Sequence, residues 1–306
     1  MKEKLFKNNT LIIFLLMLVV SGIISDSFLT GNNITNLLRQ VAPIGLISIG
    51  MFLVILTGGI DLSVGSILAF TGVAFALLSY EVYFAAGILI TLLLGIVIGA
   101  ASGYLVAYRG VAPFIATLAL MTIVRGAGYL LSKGAPISVG THSSSILHLG
   151  TGAVWGIPTS ALLLLVVFAV VYVMLRYHIL GRQIMAVGSN EEAVRLSGIS
   201  VERTKFIVYV ISAFLTAVAG LLMVGRTGVG TPTIGIGLEL DAIAAVVIGG
   251  ASLSGGKGTV ANTLLGVLIL GMIGNIMNLM DVTAYMQQLI KGLIIILAVV
   301  FQKQSR

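Results

Sequence analysis

Charge is scarce in this sequence. Asp, Glu, Lys and Arg make up only 9% of its 306 residues, against about a quarter in a soluble domain. So few ionised groups cannot cover a water-solvated surface, and a soluble globular fold is excluded. Cysteine is absent, which rules out disulfides and thiolate metal sites and leaves the redox compartment open. His142, His148 and His178 stand apart, without His-x-x-x-His or His-Glu-x-x-His spacing, so no metal centre is expected. No serine lies in a nucleophile-elbow context of the Gly-x-Ser-x-Gly kind, and clusters of His, Asp or Cys that a membrane-embedded enzyme would need are missing. The chain is therefore not expected to be an enzyme. The net charge of +7 comes without any basic run, which excludes a nucleic-acid-binding reading.

What the chain does have is apolar sequence almost from end to end: 58% hydrophobic residues and a mean hydropathy of +1.15. A spanning helix needs about 20 mostly apolar residues. Ten segments qualify as candidates, at 11–25, 41–57, 62–79, 85–107, 113–131, 159–176, 205–224, 241–253, 259–278 and 285–301. No linker divides them, so residues 1–306 read as one all-α integral membrane domain in a cell membrane. Lys2, Lys4 and Lys7 before the run from Leu11 to Ile24 have the look of a secretory signal. No Ala-x-Ala-like site follows and further apolar segments do, so a retained first helix is expected.

The gaps between segments carry a topology signal. With a cytoplasmic N-terminus, twelve Lys and Arg residues fall inside (Lys2, Lys4, Lys7, Arg109, Arg176, Arg182, Arg195, Arg203, Lys205, Lys257, Lys303, Arg306). Three fall outside (Arg39, Lys133, Arg226), and Arg125 and Lys291 lie within spans. This bias predicts an even number of spans with both termini cytoplasmic. Residues 132–158, rich in glycine and holding Trp155, read as an external loop, and 177–204 as a polar, water-facing cytoplasmic segment.

Glycines mark the possible moving parts. Gly58-Gly59-Ile60-Asp61-Leu62-Ser63-Val64-Gly65 is echoed by Gly249-Gly250-Ala251-Ser252-Leu253-Ser254-Gly255-Gly256, each where one short apolar segment meets the next. Glycine-interrupted helices at corresponding positions are found near transporter pathways. The candidate translocation and gate residues are Gly58, Gly59, Asp61, Ser63, Arg125, Asp241, Gly249, Gly250 and Lys291. A charge in a span is costly and by default a functional hypothesis. Arg125, Asp241 and Lys291 either line a polar cavity or hold the two halves together by charge pairing, or are structural, paired or snorkelling at a helix end. Asp61 is either a hinge element or a cap for the helix that follows. Small-residue pairs Gly95/Gly99 and Gly99/Gly103 permit close helix approach within the subunit or in a dimer. Gly255-Gly256-Lys257-Gly258 is not a phosphate loop, because Ala251 and Gly258 stand where that motif requires Gly and Ser or Thr.

Residues 188–198 form the most informative polar stretch. Asn190 is a good N-cap, Glu191 and Glu192 suit the positive end of a helix, and Gly198 can close it in the left-handed conformation. A helix of about two turns is predicted, presenting Ala193, Val194 and Leu196 among charges. Alone in water it is marginal; docked in a partner's groove it makes physical sense.

Four separated blocks carry a family resemblance: Val54 to Ser66, Phe114 to Leu118, Leu180-Gly181-Arg182 through Arg195 to Ile199, and Glu239 to Val247 through Gly255 to Gly258. With these the chain resembles the permeases of ribose-type sugar importers of the ATP-binding-cassette class. The resemblance implies a fold of the type II importer permeases and a coupling helix at 188–198 seated on an ATPase subunit, with Arg182, Gly188, Asn190, Glu191, Glu192, Ala193, Arg195 and Gly198 as coupling residues. It implies a second permease, identical or similar, and an extracytoplasmic sugar-binding protein. No cofactor is expected in this chain, ATP being bound by the separate subunit. The alternative is a secondary transporter driven by an ion gradient, with Asp61 or Asp241 as its ion site.

Overall fold

A computed structural model describes residues 9–140 and 144–304. The chain is almost wholly helical. Helix α1 spans Asn9–Ile24, α2 Gly31–Leu56, α3 Val64–Glu81, and α4 Phe84–Gly103, which continues through a π turn to Tyr108. Helix α5 spans Pro113–Ser132, α6 Ser144–Thr151, α7 Thr159–Tyr177, α8 Ile179–Ser189, α9 Glu191–Leu196, α10 Val201–Thr227, α11 Leu238–Ile248, α12 Val260–Leu279 and α13 Ala284–Gln304. Local chemistry sets many boundaries. Hydroxyls of Thr30, Ser200 and Thr259 accept backbone N–H groups in the first turns of α2, α10 and α12, satisfying donors that a helix start leaves unpaired. Pro113 opens α5, where its missing N–H costs nothing.

Each of the ten predicted segments falls on a helix. Seven are long and apolar enough to cross a membrane: α2, α3, α4 with its π turn, α5, α7, α10 and α12. Helix α1 and the apolar part of α13 are shorter apolar helices. The segment predicted at 241–253 is corrected: α11 has 11 residues, about 16 Å at 1.5 Å per residue, half of the roughly 30 Å hydrocarbon core. Helix α2 begins at Gly31, ten residues ahead of the predicted start, because its first turns are polar (Asn32, Asn33, Asn36, Arg39, Gln40) and carry no apolar signal.

Helices α2 and α10 form the centre, with α10 against α2, α3 and α4. Gly95, Gly99 and Gly103 of α4 face Ala217, Ala213 and Phe206 of α10, where added Cβ atoms would collide. The small-residue seam therefore packs inside the subunit. Helices α4, α5 and α7 leave most of their apolar surface outward, with only 22% of each buried, as a lipid-facing layer requires.

At one end of the bundle lie the start of α2, the end of α10 and the segment 132–158. That segment is more than the expected loop. It holds strand β1 (Ile137–Ser138) paired antiparallel with β4 (Val229–Gly230), helix α6 packed on α10, and a hairpin of β2 (Ala153–Val154) and β3 (Ile157–Pro158) with Trp155 at its exposed turn. His142 lies outside the described residues. At the other end lie the end of α2, helices α8 and α9, and the start of α10. The segment 177–204 is not simply water-facing, since Gly181, Ile184, Val187 and Val194 are buried. Helix α8 is amphipathic and seals the underside of α2 and α10.

Between β4 and α11 the chain runs without regular structure over 231–237. Gly230 packs on Gly72 and Ala76 of α3, and Gly235 on Gly65 and Leu68, so this segment travels alongside a spanning helix. Helix α11 begins only at that depth.

Candidate coupling and gate region

The α8–α9 elbow is built from short-range chemistry. His178 Nδ1 accepts the N–H of Leu180 and caps α8, and the exposed Arg182 donates to the Tyr177 carbonyl at the end of α7. Asn190 Oδ1 accepts the N–H of Ala193 at 3.0 Å, and Gly198 closes α9 with φ of 76°. Helix α9 is six residues long, a single turn and a half. Val194 is turned inward against Val187 and Val201, so of the three apolar residues expected on the surface, Ala193 and Leu196 alone remain there. Leu196 is 83% exposed.

Glu191 is the hub of an ion network. Its carboxylate accepts from Lys205 of α10 at 2.6 Å and from Arg195 at 3.2 Å, and Arg195 also pairs with Glu202 at 3.1 Å. These four side chains line a cleft of about 270 Å³, whose opposite wall is the α4–α5 turn at Gly110, Val111 and Ala112. Glu192 is exposed and makes no ion pair among the described residues.

Gly188 belongs to a different structure. A Cβ there would overlap the carbonyl oxygen of Leu56 and the amide of Gly256, while Gly255 packs on Gly188 and on the amide of Gly58. The Gly256 amide donates to the Leu56 carbonyl at 3.0 Å. The two glycine clusters thus touch each other, with Gly188 wedged between them. Gly188 packs at a three-way backbone junction.

The echo between the clusters is structural, but displaced by one residue. Helix α2 closes with Gly58 at φ of 78° and the Gly59 amide on the Val54 carbonyl. Helix α11 closes with Gly250 at φ of 81° and the Ala251 amide on the Val246 carbonyl. Both are helix ends closed by a left-handed glycine, with the first glycine of the pair used in one and the second in the other. Gly249 instead packs on the Asn262 backbone.

Asp61 is 1% exposed and has no cationic partner among the described residues. Its Oδ1 accepts from the Ser63 amide at 3.0 Å and the Ser63 hydroxyl at 2.6 Å, and its Oδ2 from Ser212 of α10 at 3.4 Å. The preceding Ile60 carbonyl accepts from Tyr209 of α10 at 3.3 Å and Thr117 of α5 at 3.4 Å. Gly59 is needed because a Cβ would press on the Tyr209 hydroxyl. Residues 59–63 are therefore a node to which α5 and α10 are both tied. Asp61→Asn retains an acceptor for Ser63 and is expected to assemble normally. Asp61→Leu strands a buried amide and two hydroxyls, at roughly 1–3 kcal/mol for each unsatisfied group. The yield of monodisperse detergent-extracted protein separates the two.

The other candidates lie apart from Asp61. Lys291 of α13 donates to Asp241 of α11 at 2.7 Å, beside a cavity of about 100 Å³ between α2, α11, α12 and α13 that Gln40, Asn278 and Gln287 also line. The two residues thus form an ion pair between α11 and α13. Arg125 has no acidic hydrogen-bond partner among the described residues. It donates Nη1 to the carbonyls of Pro232 and Ile234, both at 2.7 Å, pinning the irregular segment to α5.

Sequence reasoning did not single out Glu239, Lys205, Tyr209 or Ser212. Glu239 Oε2 is buried without a hydrogen bond among the described residues and faces Gly65; an acid in the first turn of an apolar segment was the available signal. Tyr209 and Ser212 are polar residues three apart in an apolar helix, a spacing that puts them on one face.

Comparison with known proteins agrees over the whole length. Residues 33–299 match the model of the family described as "Branched-chain amino acid transport system / permease component". The chain is 42% identical to the ribose import permease protein of Escherichia coli strain K12, over 100% of this chain and 96% of that protein. It is 43% identical to the proteins of the same name from Haemophilus influenzae (96% and 92%) and Bacillus subtilis (96% and 91%). No solved structure matches it. A multi-pass helical chain that aligns from end to end with these transporters belongs to the branched-chain amino acid transport system permease family, among relatives of the ribose import permeases.

Proposed function

We propose that this chain is the membrane-spanning permease subunit of an ATP-driven importer for ribose or a similar monosaccharide. The observation that carries this is identity of 42–43% over nearly the full length of three ribose import permeases. The fold is that of a type II importer permease, with α1, the half-length α11 and α13 completing a set of about ten membrane helices around the seven long ones. Two such chains, or this one with a similar permease, enclose the pathway. A sugar-binding protein delivers the substrate at the end carrying β1–β4. The end carrying α8 and α9 is cytoplasmic, as are both termini, in keeping with the excess of Lys and Arg on that side.

The ATPase subunit docks on α9. The helix is too short to persist alone, yet it is capped, cross-linked to α10 by ions, and presents an almost fully exposed Leu196 between Arg195 and Ser197. An apolar side chain in that setting fits a partner's pocket. Leu196→Asp is expected to leave the permease level in the membrane unchanged, to abolish co-purification of the ATPase, and to stop ribose uptake. Retention of both the ATPase and uptake would remove α9 from the docking site.

The geometry weighs against a secondary transporter. The Asp241 carboxylate is taken by Lys291, and Asp61 is enclosed by three donors from its own chain. The purified chain alone should neither hydrolyse ATP nor accumulate sugar.

A further inference from the structure

We propose that α10 is the strut that carries the movement of α9 to the Ile60–Asp61 node, with Lys205 and Tyr209, about one helical turn apart, as positioning residues. This rests on α9 being the docking element for the ATPase. Glu202, Lys205, Tyr209 and Ser212 are spaced by three, four and three residues, which puts them on one stripe of the helix. The stripe covers about 15 Å of axis at 1.5 Å per residue. Its lower end is bound to α9 through two ion pairs, Lys205 with Glu191 and Glu202 with Arg195. Its upper end is bound to the α2–α3 connection through Tyr209 on the Ile60 carbonyl and Ser212 on Asp61.

The connections differ in rigidity. Tyr209 and Ser212 are fully buried, and α10 is closely packed on α2 at Gly50, where a Cβ would meet Ser212. A push on the lower end is therefore transmitted along a helix rather than absorbed by loose side chains. Lys205, with its side chain 20% exposed against 61% for Arg195, is the more enclosed of the two cations at the lower end. The cleft of about 270 Å³ beside it separates α9 and α10 from the α4–α5 turn. That space lets the α9–α10 unit shift as one piece. The node receives a second contact from Thr117 of α5, so motion of α10 relative to α5 acts on a single carbonyl.

The test uses the complete importer in proteoliposomes, with the cognate ATPase and binding protein and radiolabelled ribose. Variants are Lys205→Gln, Tyr209→Phe and the conservative Lys205→Arg. All should keep the ATPase bound. Lys205→Gln and Tyr209→Phe should lose ribose moved per ATP by roughly five- to tenfold, the scale of a coupling energy of 1–1.4 kcal/mol, and Lys205→Arg should keep at least half of the original ratio. Unchanged coupling in Lys205→Gln or Tyr209→Phe, or a Lys205→Arg variant no better than Lys205→Gln, overturns the strut. Loss of the ATPase from Lys205→Gln would also overturn it, by making Lys205 a docking residue. Failure of the docking assignment itself shows separately, as an ATPase retained by Leu196→Asp.

Discussion

Gly188→Val is expected to prevent accumulation of folded permease, whereas Gly198→Ala, ten residues along in the same segment, should be tolerated. At Gly188 the added atoms overlap the backbone of Leu56 and of Gly256. Backbone cannot swing aside as a side chain does, so the cost exceeds the roughly 1–3 kcal/mol of ordinary overpacking. The overlap also breaks the Gly256 to Leu56 hydrogen bond that joins the ends of α2 and the 249–258 loop. At Gly198 nothing lies within reach of a new Cβ, and the penalty is the left-handed backbone alone, about 1–2 kcal/mol. Size-exclusion profiles of the two extracted proteins check this. A normal profile for Gly188→Val would mean that the junction opens without cost.

Asp241→Ala is expected to lower stability by about 2–3 kcal/mol. Removing one partner of a buried pair leaves a charge that must be desolvated alone, typically 3–5 kcal/mol. The figure is reduced here because the Lys291 side chain is 33% exposed at the cavity mouth. The double variant Asp241→Asn with Lys291→Gln removes both charges and keeps a donor and an acceptor in place. It should recover most of the loss, because neutral replacement of an ion pair is often free of cost. Detergent melting curves measure both. A double variant as unstable as Asp241→Ala would mean that the pair acts through shape and not charge.

Much of the helix layout could be read from hydropathy, since each apolar segment had to become a helix to satisfy its own backbone. The α8–α9 elbow was legible for the same kind of reason: Asn190 and Gly198 act within a few residues of themselves. The site was less legible where partners are far apart in sequence. Nothing at Lys205 announces Glu191, fourteen residues earlier, and nothing at Tyr209 announces the Ile60 carbonyl, 149 residues away. The resemblance placed Gly188 among the coupling residues; its contact with two other stretches of backbone is something only the fold brings to it. The half-length of α11 was foreshadowed by a short apolar run beside glycines; the irregular chain leading into it was not, because 231–237 resembles any surface turn.

That irregular chain offers a place to bend that the spanning helices beside it do not. A helix can bend there only by giving up ladder bonds with no water to replace them. Residues 231–237 have no ladder to break. Two hydrogen bonds from a single guanidinium hold the carbonyls of Pro232 and Ile234, so freeing Arg125 is expected to loosen this segment while the helices on either side keep their ladders.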